Sequence, residues 1–133
     1  MRSYYAAEQE TQEKELKQMF GKFASNSQHC NDELISEIKH MGGENLEGNR
    51  FDRFFQYWNE VKTALLNKNK NALLNCCAYS ESSVLETYNN VLSKEIDYLT
   101  IEQHKMIYKQ YVLVKHDYEE VKGMQNMLQL EHA

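Results

Sequence analysis

The chain contains no proline, and its five glycines fall at Gly21, Gly42, Gly43, Gly48 and Gly123, so little along its 133 residues forces a helix to break. Apolar residues recur at the three-and-four spacing of one helical face. Leu16, Phe20, Phe23, Ser27, Cys30, Leu34, Ile38 and Met41 mark the inner face of a long helix that Gly42-Gly43 is placed to end. Ahead of it Ser3 to Glu10 suits a helix, and Thr11 is placed to cap the long one. Asn49 is placed to open another helix, lined by Phe51, Phe54, Phe55, Trp58, Val61 and Leu65, before the polar break from Asn67 to Asn71. A helix from about Ala72 to Ser93 follows. Thr100-Ile-Glu-Gln103 then has the spacing of a capping box and opens a last helix to about Leu130, along Ile107, Tyr111, Val114, Tyr118, Val121 and Leu128. Connections this short favour antiparallel neighbours, so the expected fold is all-α, an up-down helical bundle forming a single domain over residues 1–133.

Charge and composition narrow the partners. Fifteen Lys and Arg against twenty Asp and Glu leave a net charge of -5, with no basic cluster to track a phosphate backbone, which argues against nucleic acid. No apolar run approaches the ~18 residues of a membrane span, and the N-terminus lacks the apolar core of a signal peptide. A soluble, cytoplasmic protein that does not enter the membrane is the expectation. Cys30, Cys76 and Cys77 are odd in number and two are adjacent, a pattern of reduced thiols and not of a disulfide framework.

One residue departs from this pattern. Leu74, Cys77, Glu81, Val84, Tyr88 and Val91 share one stripe, so Glu81 is a carboxylate on an apolar face and requires a metal, a cation or hydrogen-bond donors. Bundles that bind two irons or manganese supply a Glu from each of two helices and a Glu-x-x-His from each of the other two. Here Asn26-x-x-His29 and Leu113-x-x-His116 each lack the glutamate, and Glu37-Ile-Lys-His40 sits at a helix end beside Gly42-Gly43. His116 lies nearly opposite the inner stripe of its helix at ~100° per residue. Folding the chain back near Asn69 instead brings Glu81 level with Trp58, with Lys62 about one turn (~6 Å) away. A buried cluster of Glu81, Lys62 and Trp58 is therefore expected, and no cofactor or metal. The alternative metal set is Glu81, Glu33 and His29, holding iron or manganese. No phased Cys-His or Ser-His-Asp arrangement and no glycine-rich phosphate loop supports catalysis.

Several of these residues carry a family resemblance: Glu33-Leu34 followed by Gly42-Gly43, Trp58-Asn-Glu-Val-Lys62, Cys77-x-x-x-Glu81, Tyr88 and His116-Asp117. From about Tyr4 to Met124 the chain resembles a bacterial ferritin-like four-helix-bundle family, domain-of-unknown-function class 2383. The resemblance implies an up-down bundle of ferritin-like shape and brings no established reaction. Relative to that family the first helix looks shortened, with only its end present as Tyr4-Tyr5-Ala6-Ala7, and Gln56 stands where an arginine is expected. A shortened first helix would leave an apolar groove open to a partner helix or a second copy. The functional expectation is a non-enzymatic bundle protein acting through self-association or a protein partner, with the ferritin-like metalloprotein as the alternative.

Overall fold

A computed structural model of the protein describes residues 2–40, 63, 64, 66–94 and 96–131. Among them are four α-helices, α1 (Arg2–Glu10), α2 (Lys14–His40), α3 (Lys70–Lys94) and α4 (Ile101–Glu131), with a 3-10 turn at Ile96–Tyr98, and no strand. The all-α expectation holds. The chain divides into two compact units, Met1–Asn69 and Lys70–Ala133.

In the first unit, α1 folds back on the N-terminal half of α2. Tyr4 and Ala7 are buried on one face of α1, and Leu16, Met19, Phe20, Phe23 and Ala24 are buried on α2. The Tyr4 ring meets Phe23 edge-on at 5.4 Å and Phe20 at 6.2 Å, the geometry aromatic quadrupoles favour. Gly21 faces the tip of Glu8, where an added Cβ would come within 2.5 Å of the carboxylate oxygen. The Glu8 carbonyl accepts a hydrogen bond from the Lys17 ammonium at 3.2 Å.

Thr11 separates the two helices by a different route from a simple cap. Its backbone N–H closes α1 on the Ala7 carbonyl at 3.0 Å, while its hydroxyl accepts from the Glu13 N–H at 3.3 Å. The first bond of α2 runs from the Lys17 N–H to the Glu13 carbonyl at 2.9 Å. The hydroxyl thus holds a three-residue turn, and the helix opens two residues later than a cap at Thr11 would allow.

The polar break expected at Asn67 to Asn71 is confined to Asn67, Lys68 and Asn69, since α3 begins at Lys70, and it is a helix stop with a defined mechanism. Lys68 has φ 54°, the left-handed conformation, and the Asn69 N–H reaches over it to the Ala64 carbonyl at 2.8 Å. That six-to-one bond across a left-handed residue is a Schellman motif, here with lysine where glycine is usual. The stop expected at Gly42-Gly43, and the aromatic face from Phe51 to Leu65, lie outside the described residues.

In the second unit α3 packs on α4. The capping box forms in both directions, with the Gln103 N–H donating to the Thr100 hydroxyl at 3.1 Å and the Thr100 N–H donating to Gln103 Oε1 at 3.0 Å. Leu73, Leu74, Cys76 and Cys77 are buried on α3, and Ile107 and Val121 on α4.

Candidate functional site

Glu81 lies where its spacing predicted, on the buried face of α3 with 5% of its surface exposed. Cys77, one turn earlier, is fully buried, and Ser80 beside it is buried as well. Burial pushes the Cys77 thiol well above the ordinary thiol range, and the Glu81 and Cys76 charges add to the effect. This thiol stays protonated at neutral pH and is a poor nucleophile. All three cysteines are buried, and none is in a disulfide.

Two side-chain hydrogen bonds fix how α3 and α4 meet. Tyr88 donates its phenol to Gln110 Oε1 at 2.6 Å, and Gln125 donates its amide to Asn75 Oδ1 at 2.7 Å. Stepping back along α3 from Tyr88 to Asn75 corresponds to stepping forward along α4 from Gln110 to Gln125, so the two helices run in opposite directions. Two turns before Tyr88, about 10 Å along the axis, is Glu81; two turns after Gln110 is Asp117. Asp117 is 3% exposed. The register therefore sets two buried carboxylates level with one another on facing helices, and each has interaction partners within the molecule. Buried carboxylates at one level require shared protons, donors or positive charge.

Gln110 and Asp117 were not among the expected inner residues of the last helix. The stripe read from the sequence centred on Tyr111, Val114 and Tyr118, which are only half-buried, whereas Ile107, Gln110, Asp117 and Val121 form the buried centre. Polar residues at those two positions look like a wet face when one helix is read alone. Their signal was on the partner: Glu81 and Tyr88 are two turns apart on α3, as Gln110 and Asp117 are on α4.

The remaining candidates sit elsewhere. His29 and Glu33 pair with each other one turn apart on α2, His29 Nε2 to Glu33 Oε1 at 3.4 Å, with 66% of the histidine side chain exposed. His116 is exposed, as its phase predicted. Lys62 and Trp58, the expected partners of Glu81, lie outside the described residues. Among the described residues no group of three or more His, Cys, Asp and Glu side chains is arranged to hold a metal ion, so they do not supply the four-carboxylate, two-histidine set of a two-metal bundle. No helix among them is long and apolar enough to cross a membrane.

The far side of α4 carries a second set of apolar residues. Ile101, Tyr108, Val112, Met127 and Leu130 are each about half exposed or more. They share that side with the exposed Lys105, His116, Glu119 and Asn126.

The described residues are thus all-helical, with a polar seam inside the α3–α4 pair. A family model, domain of unknown function (DUF2383), matches residues 1–94, and the chain belongs to that family. The match ends with α3, so α4, including His116-Asp117, lies beyond it. No curated protein and no solved structure matches the chain.

Proposed function

We propose that this is a non-enzymatic helical-bundle protein that acts through self-association or by binding a protein partner. The observation that carries this reading is the exposed apolar row on α4, opposite the face packed on α3. The reading takes residues 1–133 as one ferritin-like bundle domain of a cytoplasmic bacterial protein. The long helices, with 27, 25 and 31 residues in α2, α3 and α4, support that architecture. Within it, Glu81 belongs to a buried polar cluster with the Lys62 ammonium and the Trp58 indole N–H, a reading supported by its burial on α3. Light scattering on the full chain across a concentration series tests the association arm. A mass of one chain, 15.8 kDa, at every concentration up to about 100 μM removes it.

A second reading, a ferritin-like metalloprotein using iron or manganese, draws on Glu81 and Asp117 standing level on facing helices. Its wider ligand set would add Glu33 and His29. Elemental analysis of protein purified without chelators and loaded with each metal decides it. A stoichiometric metal that Asp117→Asn releases favours the reading, and sub-stoichiometric metal after loading eliminates it.

A further inference from the structure

We propose that Asn67 to Asn69 is a hinge with a second, straight state, in which Lys68 turns right-handed and the helix ending there runs unbroken into α3. The inference goes beyond the self-association reading and is independent of it.

Lys68 holds φ 54° despite its Cβ, a conformation that is costly for an L-residue and that glycine usually takes at the end of a helix. Asparagine, the next best residue for it, stands at 67 and at 69 but not at 68. No Gly or Pro occurs from Thr63 to Lys94, and lysine is among the better helix formers. The sequence thus permits a helix through the turn and works against the left-handed residue that makes it. Two features favour the turn. The Asn69 N–H donates to the Ala64 carbonyl at 2.8 Å, and Asn69 stands at the N-cap position ahead of Lys70, where asparagine is preferred. A left-handed lysine costs about as much as an N-cap contributes, so the local balance between turn and helix is close.

Leu66 shows what the straight state gains. It is 84% exposed, more than any other large apolar side chain among the described residues. At ~100° per residue through an unbroken helix, Leu73, Cys77 and Ser80, all buried on α3, fall within about 40° of it. Straightening therefore adds Leu66 to the buried stripe of α3, two turns before its present start. The boundary between the two compact units falls at the same place, between Asn69 and Lys70. The α1–α2 packing lies inside one unit and the α3–α4 packing inside the other, so a φ/ψ change at two or three residues requires neither pairing to come apart.

Double electron–electron resonance on the full chain tests the hinge, with nitroxides attached at Thr63→Cys and Asn90→Cys, both exposed positions; the three native cysteines are buried. An unbroken helix sets these two sites ~40 Å apart along its axis, a span that a change of direction at Lys68 shortens. The expected distribution has a component at that distance and a shorter one. Their ratio, long to short, is expected to fall about tenfold in Lys68→Gly, which suits the left-handed turn and weakens the helix. It is expected to rise about tenfold in Asn69→Ala, which removes the cap and favours the helix. Glu86→Ala, exposed on α3 away from the turn, is expected to leave it unchanged. Far-UV circular dichroism verifies that each variant folds, and if Asn69→Ala does not, Lys68→Gly against the wild type carries the test. A long component absent from the wild type and every variant overturns the inference, as does one whose weight the hinge substitutions do not move in these directions. Either result leaves the self-association reading standing.

Discussion

The Cys77 thiol shows how a single buried group ties stability to pH. An unfolded thiol releases its proton near pH ~8.5, whereas the folded Cys77, buried beside Glu81, keeps its proton to higher pH. Between those two values the unfolded chain binds fewer protons than the folded one. Stability is therefore intact below about pH 8.5, and this group makes it decline as the pH rises above that. Cys77→Ala removes that share of the decline, so urea unfolding across the alkaline range should give a shallower pH slope for the variant. Equal slopes would show that the thiol titrates alike in both states. The bond from Tyr88 to Gln110 is the other residue-scale test, because Gln110 is 2% exposed. Tyr88→Phe takes away the donor and is expected to cost about 1–2 kcal/mol in chemical unfolding. A loss below about 0.3 kcal/mol would mean the bond adds nothing beyond solvation.

At the scale of elements, the ends of helices are governed by local chemistry and were legible from the sequence alone. Thr100 and Gln103 form the reciprocal cap their spacing announced, and the break expected at Asn67 to Asn71 is there, narrowed to the three residues before Lys70. Thr100→Ala is expected to destabilise the fold by about 1 kcal/mol, and adding Gln103→Ala to it should cost less than the two singles together, because the pair acts as one unit. Lys68 is legible only in part: the sequence marks a break there, yet a lysine does not announce a left-handed backbone. Lys68→Gly is expected to stabilise the chain by about 0.5–1 kcal/mol in thermal or urea melts, since glycine adopts φ 54° without a Cβ penalty. The seam between α3 and α4 escaped the sequence for a different reason. Whether Gln110 or Tyr111 faces inward is decided by the helix it packs against, and the phase of a nearly uniform helix such as α4 is weakly specified by its own residues.

For the whole molecule, the family match and the surfaces fall on different parts of the chain. Residues 1–94 carry the match, while the exposed row and two of the four residues in the polar seam belong to α4. The seam also has a bearing on how the chain tolerates change in length. Because Tyr88 with Gln110 and Asn75 with Gln125 set the alignment of the two helices through side chains, the connection between Lys94 and Thr100 need not act as a ruler. Four Gly and Ser residues inserted after the exposed Tyr98, past the 3-10 turn, are expected to shift stability by less than about 1 kcal/mol, the scale of loop-closure entropy for a modest lengthening. A larger loss in urea unfolding would show that the connection itself holds the alignment. Otherwise that connection is a place where this chain can accept a tag, a reporter or an inserted domain while the helices on either side keep their partners.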